Sequence, residues 1–261
     1  MTGPIIITGA PGAGKTTLAA QLGKALGWPV GGTPGGLADS MTIDTAKLKR
    51  HGCRTTREGR DDANVLLEHC AYGPDWSGPA ASIVAVIDGV TGPPETDAHR
   101  SMLRAADLVV VTRGDLVDVS EARRIVATMT EAPVIAASFG KIDAAALQPG
   151  TPKHRILPGA VGMRHWSYAG AATFTQDLAE RFLIDRPDST TRLKGMLLGR
   201  DGGYEVDVAG RARSVTPCAA PAETQIFAAG IADDFDAVAV ARHFAETVAS
   251  GAARAGWLSY R

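Results

Sequence analysis

The sequence predicts an α/β fold with a mostly parallel sheet flanked by helices, followed by a smaller C-terminal α+β domain on an antiparallel sheet. Three observations carry this. Short apolar runs alternate with helix-length segments, a glycine-rich turn joins the first run to the first helix, and the rhythm changes after a Pro- and Gly-rich stretch near the middle of the chain. The 261 residues suit two unequal domains, and 45% hydrophobic with 21% charged residues is ordinary globular composition. Lys plus Arg (27) nearly cancel Asp plus Glu (28), so no net field draws the chain to nucleic acid or to an anionic membrane, and neither is expected as a partner. Three cysteines, Cys53, Cys70 and Cys218, are too few for a disulfide framework and fit a reduced cytoplasm. The opening MTGPIIITGA lacks a basic n-region and its apolar run is too short to span a membrane, so a cytoplasmic location is expected.

Ile5 to Thr8 read as a parallel strand buried on both faces, as do Ser82 to Ile87 (SIVAVI), Leu108 to Thr112 (LVVVT) and Pro133 to Ala136 (PVIA). Lys15 to Leu26, Glu95 to Ala105 and Ser120 to Thr130 read as helices, the last with Ser120 as N-cap. Residues 31–38, GGTPGGLA, read as a mobile loop. The first domain is expected over 1–148 and a linker over 149–164, where QPGTPKHRILPGAVGMR collects Pro and Gly. Over 165–261, a helix at Phe174 to Leu183 precedes a strand at Lys194 to Leu198, a turn at Gly199 to Gly203 and the alternating YEVDV of Tyr204 to Val208. Strands near Arg213 to Thr216 and Gln225 to Ala228, then a helix from Asp234 to about Ala249, complete it.

Gly9-Ala-Pro-Gly-Ala-Gly14-Lys15-Thr16 fits G-x-x-x-x-G-K-[ST] between a predicted strand and a predicted helix, which makes the first domain a P-loop NTPase. Glycines at Gly9, Gly12 and Gly14, with Ala13, let backbone N–H groups converge on an anion at the positive end of the helix, where Thr17 also lies. Lys15 reaches the β- and γ-phosphates, and the Thr16 hydroxyl is placed to ligate Mg2+. Lys15 and Thr16 are therefore candidate catalytic as well as binding residues.

Ala106-Asp107-Leu108-Val-Val-Val-Thr112-Arg113-Gly114-Asp115-Leu116 resembles the guanine-reading strand of GTPases, written AD-x-h-h-h-NKxDL. A carboxylate at Asp115 accepts hydrogen bonds from guanine that adenine cannot supply. With Val86-Ile87-Asp88, Ala137-Ser138-Phe139-Gly140, Arg192-Leu193-Lys194-Gly195 and Ile226-Phe-Ala-Ala-Gly230, the chain resembles the CobW-like metallochaperone GTPases along nearly its whole length. That resemblance implies GTP and Mg2+ as ligands, slow GTP hydrolysis, and delivery of a metal or cofactor to a client metalloprotein by way of the second domain. It leaves the client and the oligomeric state open. Thr112 and Arg113 stand where the family has Asn and Lys. Threonine still offers a hydroxyl, and the Arg stem and guanidinium can lie over a base.

The family's Gly-Cys-x-Cys-Cys metal segment is here Gly52-Cys53-Arg54-Thr55-Thr56, which retains one thiol. Cys53, with His51, His69 and Cys70 as an N2S2 set, is the candidate site for Zn2+ or Co2+, against the alternative of ordinary buried residues. The acid opposite the phosphate loop is Glu68 if residues 64–67 form a strand, or Asp88 at the end of SIVAVID if they are helical, and the sequence ranks Asp88 first. Asp44 lies where a switch segment should approach the γ-phosphate and Mg2+, or it caps the next helix. Arg54 and Arg57 are basic residues near the same segment. Two rivals stand beside this reading: a nucleotide-binding subunit without turnover, and a small-molecule kinase, which requires an arginine-bearing lid that the sequence does not offer.

Overall fold

The N-terminal apolar run forms β1 (Ile5–Gly9), in which Ile5, Ile6 and Ile7 are all fully buried because the strand lies inside a sheet covered on both faces. The structure is a computed structural model and describes residues 3–33, 38–56, 64–70, 75–92, 96–157, 163–209, 212–231 and 233–258. It divides into two units, Met1–Val161 and Gly162–Arg261. Arg57, and parts of the expected 31–38 loop and 149–164 linker, lie outside the described residues.

After β1 the first unit runs α1 (Lys15–Leu26), β2 (Val30–Gly32), α2 (Ala38–Arg50), β3 (Leu66–Cys70), β4 (Trp76–Ala80), β5 (Ser82–Asp88), α3 (Asp97–Ala105), β6 (Leu108–Thr112), α4 (Ser120–Ala127), β7 (Val134–Ala136) and β8 (Lys153–Leu157). Six strands form one parallel sheet in the order β2-β3-β1-β5-β6-β7. Strand alternation sends Ile5, Ile7, Leu66, Val84 and Val86 to the face covered by Leu18, Ala19 and Leu22 of α1. Ala85, Ile87, Val109 and Val111 turn to the opposite face, against Met102 and Leu103 of α3 and Val126 of α4. This is the P-loop NTPase fold, with the glycine-rich turn after the central strand β1 at the C-terminal edge of the sheet.

Several elements differ from the sequence reading. The described residues between β3 and β5 form β4, a strand the sequence reading did not place, and β4 pairs antiparallel with β8. Trp76, Ala80 and Leu157 of this ribbon cover Ile6, Leu67 and Ile83, the place a crossover helix ordinarily takes. Gly78 and Pro79 hide β4 in the sequence, since both are punctuators of regular structure. For the same reason the stretch read as a linker contains β8 and the start of β9. Ser120 is the first helical residue of α4 and not its cap; its N–H bonds the Asp118 carboxylate at 2.9 Å.

The second unit comprises β9 (Met163–Gly170), β10 (Thr173–Phe174), α5 (Gln176–Ile184), β11 (Arg192–Gly199), β12 (Gly203–Ala209), β13 (Ala212–Cys218), β14 (Thr224–Ile231) and α6 (Ala237–Leu258). Its antiparallel path is β13-β12-β11-β14-β9, with β10 added parallel to β11. The expected hairpin closes with Gly199 N–H on Gly202 C=O at 3.0 Å. Phe174, Phe182 and Phe244 pack together between the sheet and the helices, and Thr175 caps α5 by accepting from Leu178 N–H at 3.2 Å. Arg192-Leu193-Lys194-Gly195 opens β11. Among the described residues no helix is long and apolar enough to cross a membrane.

Trp76 supplies the bulk that the missing crossover helix would have supplied. Trp76→Ala is expected to lower unfolding free energy by about 3–5 kcal/mol, measured by urea denaturation.

Candidate functional site

The phosphate loop is shaped by two residues in the left-handed region, Gly12 (φ 82°) and Gly14 (φ 93°). Gly9 has a different constraint: a Cβ there would land on the Val86 carbonyl of β5. The loop turns with Ala13 N–H on Ala10 C=O at 3.2 Å and enters α1 with Leu18 N–H on Gly14 C=O at 2.9 Å. The first turn of α1 holds no acidic residue, so its positive end is left to attract an anion. The Lys15 ammonium lies across the loop and donates to the carbonyls of Gly9 (3.0 Å) and Ala10 (2.8 Å). Thr17 is exposed on the same turn.

Two side chains from the end of β6 hold the loop from beneath. The Thr112 hydroxyl lies 2.8 Å from the Ala13 carbonyl and 3.2 Å from that of Ile87, and it is buried. The Arg113 guanidinium donates to the Gly12 carbonyl at 3.0 Å, and its Nε lies 3.3 Å from Asp88 Oδ1. Arg113 adopts φ 64°, an uncommon backbone for a residue with a side chain, and its carbonyl accepts the N–H groups of Leu116 and Val117. That closes the turn carrying Asp115. Asp115 Oδ1 in turn accepts the Phe139 N–H at 2.7 Å. Gly140 (φ 69°) approaches Thr17 so closely that a Cβ would come within 2.7 Å of its methyl group. Phosphate loop, Thr112–Asp115 turn and Phe139–Gly140 turn therefore form one connected surface.

The acid that meets Thr16 is Glu68. The Thr16 hydroxyl donates to Glu68 Oε2 at 2.9 Å. Residues 66–70 are a strand, and β3 lies beside β1 with Glu68 in register with Ile7. Asp88, ranked above it from the sequence, is committed elsewhere: it accepts the Val90 N–H at 2.9 Å and faces Arg113. The shortness of the LLEHC run concealed the strand; its alternation, with Leu66 in one core and Leu67 in another, is the signal that finds it. Asp44 lies inside α2, buried, and so is neither in an approaching loop nor at a helix cap.

Cys53 does not build a metal centre with its expected companions. It is buried in the core against α1, where its thiol lies 3.5 Å from the Ala20 carbonyl, and burial pushes its pKa up. His69 lies on the far face of β3 with Nδ1 3.3 Å from the Thr33 hydroxyl. Among the described residues no three His, Cys, Asp or Glu side chains converge as metal ligands.

No protein-family profile and no curated protein matches the chain. Among solved structures it is similar to the hydrogenase maturation factor HypB from Archaeoglobus fulgidus, with 19% identity over 52% of this chain and 81% of that one, at a TM-score of 0.38. It is also similar to HypB from Helicobacter pylori in complex with nickel, with 16% identity over 53% of this chain and 79% of that one and a TM-score of 0.39. A third is the signal recognition particle receptor FtsY from Elizabethkingia anophelis in complex with GDP, with 17% identity over 52% of this chain and 57% of that one and a TM-score of 0.38.

Burial, reinforced by Lys15, lowers the His69 pKa to about 4, from 6.5. Between those values the unfolded chain binds a proton that the folded chain refuses, so stability falls as pH drops from about 6.5 to about 4, by an amount on the order of 3 kcal/mol. Denaturation midpoints across this range are expected to show a shallower pH slope in His69→Gln than in the wild type. Arg113→Ala removes the tie between Gly12 and Asp88 and is expected to weaken binding of nucleoside triphosphate roughly tenfold by calorimetry.

Proposed function

We propose that the chain binds a guanine nucleotide with Mg2+ and hydrolyses GTP slowly. The observation that carries the guanine reading is the Asp115 Oδ1 to Phe139 N–H pair at 2.7 Å. It sets a carboxylate acceptor beside a backbone donor. Guanine presents the complementary edge, with N1–H and N2–H2 donors next to the O6 acceptor, whereas adenine offers a donor where guanine has O6. The two protein groups occupy one another and are both released to a base that satisfies each.

Phosphoryl transfer asks the protein for positioning and charge neutralisation. The N–H groups of residues 12–16 and the Lys15 ammonium would hold the phosphates. Thr16 and Glu68 bring hard oxygens to one point, 2.9 Å apart, which suits a small oxygen-seeking cation. Mg2+ bound there would neutralise phosphate charge, and Thr16 and Glu68 would orient it directly or through water. The resemblance to CobW-like GTPases extends this reading to a client metalloprotein served by nucleotide turnover in the cytoplasm. The described residues do not fit a Zn2+ or Co2+ centre at Cys53, so no step runs through such a metal.

Calorimetry on the whole chain is expected to give tighter binding of GTP than of ATP with Mg2+ present. Asp115→Asn should lose GTP and gain xanthosine triphosphate, whose O2 accepts from the new amide. Equal affinity for GTP and ATP would overturn the guanine reading. In a phosphate-release assay Lys15→Ala is expected to lose at least about a hundredfold in turnover, and Glu68→Gln should raise the Mg2+ concentration required. Turnover indifferent to both changes would leave a binding protein in place of an enzyme.

A further inference from the structure

We infer that the side chain of Phe139 is the wall on which the purine ring of the bound nucleotide stacks; this rests on the nucleotide reading above and assigns it a further binding residue. Phe139 is 69% exposed, more than any other large hydrophobic residue among those described, although its backbone is tightly held. Its N–H is fixed on Asp115 Oδ1 at 2.7 Å, and the next residue, Gly140, is pressed against Thr17 in α1. Phe139 itself takes φ 53°, a left-handed conformation that is a true outlier for a bulky side chain. Strain of this kind persists only where neighbours over-determine it, and it gathers at ligand sites.

The approach of Gly140 to Thr17, which base binding leaves in place, sets Phe139 at the rim between the start of the phosphate-binding helix and the carboxylate that meets the base edge. A nucleotide whose phosphates lie at residues 12–16 and whose base meets Asp115 must cross that rim. The Arg113 guanidinium, a flat group on the neighbouring turn, is engaged with the Gly12 carbonyl and Asp88. An exposed benzyl group costs apolar hydration, which a flat heterocycle laid on it removes. Stacking accepts any base, because every base has a π face. Selectivity therefore belongs to Asp115 and the Phe139 N–H, while the Phe139 ring supplies affinity without discrimination.

The test is titration of the full chain and of Phe139→Ala and Phe139→Trp with Mg2+-GTP, Mg2+-ATP and inorganic tripolyphosphate, which has phosphates but no base. Phe139→Ala is expected to raise the Kd for GTP about tenfold and that for ATP by a similar factor, and to leave tripolyphosphate binding and Tm unchanged. Phe139→Trp should keep wild-type affinity, with its added indole fluorescence changing on addition of GTP and not of tripolyphosphate. Wild-type GTP affinity in Phe139→Ala overturns the inference alone, as does an equal loss of tripolyphosphate or a change in oligomeric state in its place. A wild-type chain that takes tripolyphosphate but no nucleotide overturns it together with the guanine reading.

Discussion

A phosphate loop works only while its N–H groups face outward, and each peptide that turns its N–H to an anion must turn its carbonyl the other way. Those inward carbonyls need partners, since a backbone acceptor left without one in a buried place costs about 1–3 kcal/mol. Here the partners of Gly12 and Ala13 come from the end of β6, as the Arg113 guanidinium and the Thr112 hydroxyl. The rest of the site depends on this arrangement. It ties the phosphate loop to the turn that carries Asp115. A hydroxyl and a guanidinium are both donors, and donation to two carbonyls is what the position demands.

Asp88 and Glu68 exemplify how strand neighbours assign roles to acidic residues of equal promise. Both sit on strands that flank β1. Glu68 points to the α1 face and meets Thr16, while Asp88 finds Arg113 one strand further along. An acid next to a fixed guanidinium is a neutralised partner of that cation, and it positions Arg113. The same physics removes Cys53 from the metal question. Its thiol lies buried among aliphatic side chains against α1, away from the other expected ligands, and burial pushes its pKa up.

The segment between β3 and β5 shows how a fold can keep its sheet while changing what covers it. β3 and β5 run parallel on either side of β1, so the chain between them must return along one face of the sheet. A five-residue strand with a tryptophan does this here, paired with β8 from far along the sequence. Ile6, Leu67 and Ile83 need apolar cover of any kind, and secondary structure in the cover is secondary to the area it buries.

Local chemistry alone determined the first strand, the phosphate loop and α1, the buried runs that became β5 and β6, and the hairpin at Gly199 to Gly203. Each is dictated by neighbours within a few residues: β-branched runs, glycines at left-handed positions, and the helix period. Asp115 was singled out by the resemblance of residues 106–116 to a guanine-reading strand, and the structure puts it on the turn after β6. What only the tertiary structure decided are the contacts that join residues far apart in the chain. These are Glu68 on Thr16, Arg113 between Gly12 and Asp88, the Phe139 N–H on Asp115, the β4–β8 ribbon, and the burial of Asp44 and Cys53. No local propensity encodes them. They follow from strand order and register, which set which side chains meet at the C-terminal edge of the sheet.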